Sequence, residues 1–309
     1  MLIFADPRCE THNPGRGHPE QPSRYKSVTS ALKAAGLTDE TGFQPPTAVD
    51  PADLRLVHTG PYLDLAEREI NAGYDHLSTG DTQVCKASWE AALTAAGCAI
   101  AATRAVVQNK SNTAFCVVRP PGHHARPAVG MGFCILNNIA IAAAHARKHL
   151  GIGRILIVDW DVHHGNGTQD IFYEDPNVFF FSTHQHPWYP GTGHAHETGQ
   201  GKGIGTTLNC PFPAGSGRTE ILGAFENQLV PAMKTFRPEL VLISAGFDSR
   251  EGDPLGKFRL TDNDFADLTT LMREIAADSA NGRVVSVLEG GYSLEGLAKG
   301  VLAHVHALK

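Results

Sequence analysis

In the segment ILIVDWDVHHGNG, Asp159, Asp161 and His163 fall at every second position, a spacing that turns all three side chains to one face of an extended chain. Two carboxylates and an imidazole converging at a strand end suit a divalent cation, and Gly165 and Gly167 let the backbone turn sharply after them. The plain alternative is a polar strand end capping the next helix, and the attached HHG triplet weighs against it. Asp248 directly follows a second apolar run, LVLISAGF, where a lone Asp is usually a turn cap. Joined to the first motif, it completes an Asp, His, Asp set that leaves a coordination position open for water and substrate.

In RPPGHHA, Pro120, Pro121 and Gly122 stiffen and then turn the chain ahead of His123 and His124, so a loop presents adjacent imidazoles. They could be two solvated loop histidines. Beside a metal centre they suit acid and base work, one ring taking a proton from water and returning it to a leaving amine. Asp159 and Asn166 are available to accept hydrogen bonds from the outer ring nitrogens, and a carboxylate partner makes one ring more basic than an amide partner makes the other. Tyr292 follows Gly290 and Gly291 in VLEGGYSLEGL; a loop Tyr ordinarily packs, but here its hydroxyl could donate to an oxyanion forming on a carbonyl.

Positioning these groups requires strands and helices in alternation. The pattern predicts helices over 87–108 and 135–150, strands over 154–161 and 178–184, a helix over 219–236 and a strand over 240–247. A helix opened by Thr261, with Asp264 completing a capping box, a strand over 283–289 and a last helix follow. Apolar strands without polar alternation imply a mostly parallel sheet covered on both faces, and each polar cluster lies just after a strand, where such sheets place ligand sites. No repeat or low-complexity linker divides the chain, so one domain over 1–309 is expected; the first 85 residues carry the least legible pattern.

The 26 Lys and Arg against 32 Asp and Glu leave a formal charge of -6, which argues against nucleic acid or an anionic membrane as default partners. Six cysteines without a CxxC pair fit separate thiols in a reducing cytosol better than a disulfide frame or a Cys-ligated metal. The start lacks a secretory pattern and no stretch is read as reaching the roughly 18 apolar residues of a membrane span, so a soluble, cytoplasmic protein is expected. Histidine is concentrated instead, 16 in all, with His184, His186, His194 and His196 expected at a site mouth in rim and loop roles.

The ordered motifs RGHPEQPSR, RPPGHHA, GFCILNN, DWDVHHGNGTQ, YPGTGH, SAGFDSREGDPLG and LEGGY resemble the histone deacetylase family, its class II branch with bacterial amidohydrolase members, over nearly the whole chain. The resemblance implies an α/β, three-layer arginase/deacetylase-like fold and Zn²⁺-dependent hydrolysis of N-acetyl-lysine or other acyl-lysine amides. It implies one zinc on Asp161, His163 and Asp248, His123 and His124 as the paired histidines, and Tyr292 as the carbonyl-polarising residue. It also implies a structural K⁺ held partly by Asp159 and Ser182, and an acyl-lysine channel walled by Phe133, Tyr189 and Gly132. Asn166 stands where class I relatives carry Asp, which should weaken the basicity of His124. Of the two rings, His124 is the first choice for the acid, with His123 as an electrostatic partner.

The implied partner is an acetylated lysine peptide or protein, or a small acylated amine. An acetylpolyamine amidohydrolase is the near alternative; Leu255 stands where polyamine-selective relatives are expected to carry an acidic residue, which favours acyl-lysine. A binuclear manganese arginase lacks its second ligand set here, and a non-catalytic acyl-lysine reader would need no metal ligands, His pair and Tyr together.

Overall fold

The computed structural model describes residues 1–38 and 42–309. Seven strands form one sheet: β1 (Leu2–Ala5), β2 (Thr113–Val117), β3 (Ile155–Asp159), β4 (Val178–Gln185), β5 (Thr207–Phe212), β6 (Leu240–Ala245) and β7 (Val284–Leu288). Their spatial order is β1-β2-β7-β6-β3-β4-β5 and every pair is parallel. The apolar runs ILIVD and LVLISA are buried at every position, as strands covered on both faces must be.

The helices in chain order are α1 (Arg8–Thr11), α2 (Ser23–Ala34), α3 (Pro51–Leu54), α4 (Gly60–Ala72), α5 (Ser88–Val107), α6 (Asn138–His149), α7 (Asn166–Phe172), α8 (Arg218–Ala224), α9 (Val230–Phe236), α10 (Asp262–Ser279) and α11 (Leu294–Leu308). They flank the sheet in an α/β, arginase/deacetylase-type arrangement, with α5 packed on α6 and α10 on α11. Helix α5 is long and apolar enough to cross a membrane by length and composition, contrary to the expectation that no stretch would be. Most of it is buried here against β1, β2 and α6, so its apolarity belongs to the core.

Several elements differ from the sequence pattern, most strand ends by only one or two residues. The helix expected from 135 begins at Asn138, because the Asn137 side chain accepts the Ala140 N–H at 3.0 Å and so acts as the N-cap. The helix expected over 219–236 is α8 and α9 joined by a π turn, Phe225–Leu229. Strands β2 and β5 escape the pattern, the first a five-residue TAFCV run and the second carrying Pro211. The Thr261 cap forms, its N–H donating to Asp264 Oδ2 at 2.7 Å.

Topology determines where a site can lie. From β3 the chain moves outward to β4 and β5, then returns to β6 on the other side of β3 and moves away to β7. The loops leaving β3 and β6 therefore diverge, and open parallel sheets bind ligands at this switch point beyond the carboxyl ends of the strands.

Candidate active site

Asp161 and His163 leave the end of β3 and Asp248 the end of β6, the two neighbours at the switch point. The structure brings these three predicted residues together: His163 Nδ1 lies 3.0 Å from Asp161 Oδ1 and 3.2 Å from Asp248 Oδ2, and all three are buried. Asp161 Oδ2 also accepts the Gly290 N–H at 2.8 Å, and Asp248 Oδ1 the Val162 N–H at 2.8 Å. Gly290 is required: a Cβ there would stand 2.1 Å from Asp248 Oδ2 and 2.5 Å from Asp161 Oδ2.

The trio fits a cation. Asp248 Oδ2 is buried without a hydrogen-bond partner. Burial and the Asp161 charge push the Asp248 carboxyl up to about 7. Burial opposes a charge on His163, yet Asp161 and Asp248 outweigh it and lift the ring to about 10. Two buried carboxylates and an imidazole thus converge with one carboxylate oxygen left unpartnered, and one nitrogen with two carboxylates leaves room for a further ligand.

His123 and His124 lie beside the trio with ring centroids 4.0 Å apart. His123 Nδ1 contacts Asp159 Oδ2 at 2.9 Å and His124 Nδ1 contacts Asn166 Oδ1 at 2.8 Å, the two partners proposed from the sequence. Burial alone would discharge His123, but Asp159 and Asp161 hold it well above the ordinary imidazole value. Burial, with repulsion from His123 and His163, holds His124 well below it. Asp159 and Ser182 are paired in register across β3 and β4; the Ser182 hydroxyl contacts His184 Nδ1 at 2.9 Å.

A cavity of about 270 Å³ opens above these groups, lined by His124, His163, Gly132, Phe133, Tyr189, Leu255 and Tyr292, with Asp81 and Trp188. Phe133 holds φ at +67°, uncommon for an aromatic residue, and meets Tyr292 edge-on at 5.9 Å. The Arg24 guanidinium lies 5.0 Å from the Tyr292 ring centre, and burial pushes the phenol well above its usual value, so the hydroxyl remains a neutral donor.

His184 is a correction. Expected at the mouth, it is buried within β4, which ends one residue beyond it, and is bonded to Ser182 and to the Gly193 carbonyl. His194 and His196 are exposed on the following loop.

Other residues escaped the sequence argument. Glu289 is buried beneath the His pair and accepts the Gly122 N–H at 2.7 Å and the Ser244 hydroxyl at 3.0 Å. Arg24 donates to the Gly291 carbonyl at 2.7 Å and to Glu20 at 3.0 Å, and Arg119 donates to the same Glu20 at 2.7 Å, tying the Tyr292 turn to the N-terminal segment. Asp81 accepts the Gly132 N–H at 2.8 Å, and Trp188 donates to the Leu255 carbonyl at 2.9 Å. Glu289 precedes the glycine pair in LEGGY, and Glu20 and Arg24 stand in HPEQPSR, so position beside a glycine or proline motif was their available signal.

The model of the histone deacetylase domain matches residues 18–308. Histone deacetylase 10, chloroplastic, of Oryza sativa is 41% identical over 97% of this chain and 71% of its own length. Human polyamine deacetylase HDAC10 is 38% identical over 99% of this chain and 46% of its own length. The crystal structure of the HDA15 HD domain superposes with a TM-score of 0.94 at 34% identity, covering 99% of this chain and 87% of that one.

Proposed function

The chain belongs to the histone deacetylase family, an amide-hydrolysing family, and on that premise we propose that it deacylates acyl-lysine side chains with one zinc ion held by Asp161, His163 and Asp248. The observation that carries the substrate class is the cavity, an aromatic-walled passage between Phe133 and Tyr189 that reaches His124 and His163. A slender alkyl chain ending in an amide fits it.

When bound, the zinc supplies Lewis-acid polarisation of the acyl carbonyl and of a water. His124, held neutral, takes the water's proton and later delivers a proton to the leaving amine. His123, held protonated by Asp159, stabilises negative charge nearby and keeps the carboxylate-rich floor balanced. The Tyr292 hydroxyl donates to the oxyanion of the tetrahedral intermediate. Asp159 and Ser182, buried and in register, support an alkali ion as a structural partner of this floor. A cytoplasmic location belongs to the same reading and is supported by six free cysteines.

A second reading, acetylpolyamine hydrolysis, has its own support in the name of the human relative and in Asp81, a carboxylate at the mouth able to attract a second cationic nitrogen. Leu255 lines that mouth without charge, which favours acyl-lysine. Purified protein is assayed on acetyl-lysine peptide, longer acyl-lysines and N-acetylputrescine, with and without added zinc. Higher kcat/KM on the peptide is expected; higher kcat/KM on N-acetylputrescine overturns the substrate assignment, and full turnover after complete zinc removal overturns the metal.

A further inference from the structure

A second group of metal-ligating side chains lies away from the cavity, at the far end of α6. His145 and His149 stand four residues apart on that helix, so both imidazoles project to one side. Asp53, from the short helix α3, reaches between them: its Oδ2 lies 3.0 Å from His145 Nδ1 and its Oδ1 2.9 Å from His149 Nε2. One ligand atom from each of the three lies within 4.8 Å of the others. Asp53 and His145 are buried, whereas His149 is exposed.

We propose that Asp53, His145 and His149 form a second cation site, selective for a late divalent transition metal such as Zn²⁺, Co²⁺ or Ni²⁺, that clips α3 to α6. Two imidazoles and one carboxylate are the donors such ions prefer, whereas Mg²⁺ and Ca²⁺ favour all-oxygen cages. The exposed His149 leaves a coordination position toward water. Among the described residues Asp53 has no Lys or Arg ion partner, so the buried carboxylate is matched only by imidazoles.

Two features ease the exchange of the bridging protons for a metal. His145 Nε2 is buried with no hydrogen-bond partner, so nothing fixes the tautomer from the other side and the lone pair can be turned to Nδ1 without breaking a bond there. The cluster also sits at the C-terminal end of α6, where free carbonyls favour positive charge. The Arg104 charge is close enough to act on the His145 ring and repels a cation, so binding weaker than at the catalytic trio is expected.

The test uses the full chain carrying one equivalent of zinc in the catalytic trio. Titration with Co²⁺, followed by calorimetry and by visible absorption, is expected to show one further equivalent and d–d bands of a nitrogen- and oxygen-ligated ion. His149→Ala, at an exposed position, is expected to weaken that further equivalent by at least about 100-fold while deacylase activity stays unchanged. Asp53→Asn is expected to do the same, with unfolding monitored by circular dichroism. No further equivalent in the wild-type protein, or one that survives in His149→Ala and disappears instead when His186 and His194 are replaced, overturns the proposal. Because activity is read separately, loss of the catalytic reading would leave this outcome intact, and the reverse.

Discussion

The floor and the mouth of the cavity are built differently. On the floor, Asp161, His163, Asp248, His123 and Glu289 are buried, and their positions are fixed by backbone N–H groups from other strand ends: Gly290 to Asp161, Val162 to Asp248 and Gly122 to Glu289. At the mouth, Trp188 and Tyr189 are exposed, and the bonds that hold them are single, Trp188 to the Leu255 carbonyl and Tyr189 to Asp81 at 3.4 Å. A buried carboxylate without partners is expensive, so the floor has few alternative arrangements. Exposed aromatics can be exchanged at small cost in stability. Chemistry is thus set at the floor and selectivity at the mouth.

If this division holds, the largest effects come from the floor. Asp248→Asn should abolish both zinc retention, read by metal analysis, and turnover; an active variant with full metal content would break the comparison at its base. Tyr292→Phe should lower kcat by about 10²- to 10³-fold with little change in KM, as loss of one oxyanion donor does. His124→Ala should lower kcat by about 10²-fold or more, and His123→Ala by less. Equal losses would remove the unequal roles assigned to the pair.

Finer adjustments sharpen the same comparison. Asn166→Asp places a carboxylate where His124 now has an amide, so the ring should hold its proton to higher pH. With His124 proposed to act from its neutral form, the acidic limb of the pH profile should move upward. An unchanged limb would show that His124 is not the base. At the mouth, Leu255→Glu should change kcat on the peptide least, while shifting the kcat/KM ratio toward N-acetylputrescine by about tenfold, or 1.4 kcal/mol. A drop in kcat as large as that of Tyr292→Phe would mean that the mouth also shapes the chemistry.

Much of the floor was legible before the structure because its ligands lie within short motifs at strand ends. Asp159, Asp161 and His163 declare themselves by alternation at and just beyond the end of one strand, and burial of ILIVD explains why the sheet could be read from apolar runs. Asn166 and Asp159 could be matched to the two histidines by elimination of the metal ligands, and both bonds form. The first 85 residues were opaque in part because α1, α3 and β1 are four residues each, too short for a period to show, although α2 and α4 there run to 12 and 13 residues and were missed as well. His184 was misplaced because it was grouped with the histidines of the following loop although it already closed the predicted strand, and β4 buries it with its neighbours.

Residue type and local spacing by themselves determined the α/β alternation, the Asp161 and His163 pair and the adjacent imidazoles, because each is a matter of short runs of sequence, whereas Asp248 joins the pair only through the fold. Tertiary structure alone decided which buried charges meet across long separations, such as Glu20 with Arg119 and Asp53 with His145. It also added burial and the charges of Asp161 and His163 to the difference in basicity between His123 and His124 that their Asp159 and Asn166 partners had led the sequence reading to expect. The physical reason is that solvation and charge at a side chain depend on everything folded around it, and that environment is assembled from segments the linear order keeps apart.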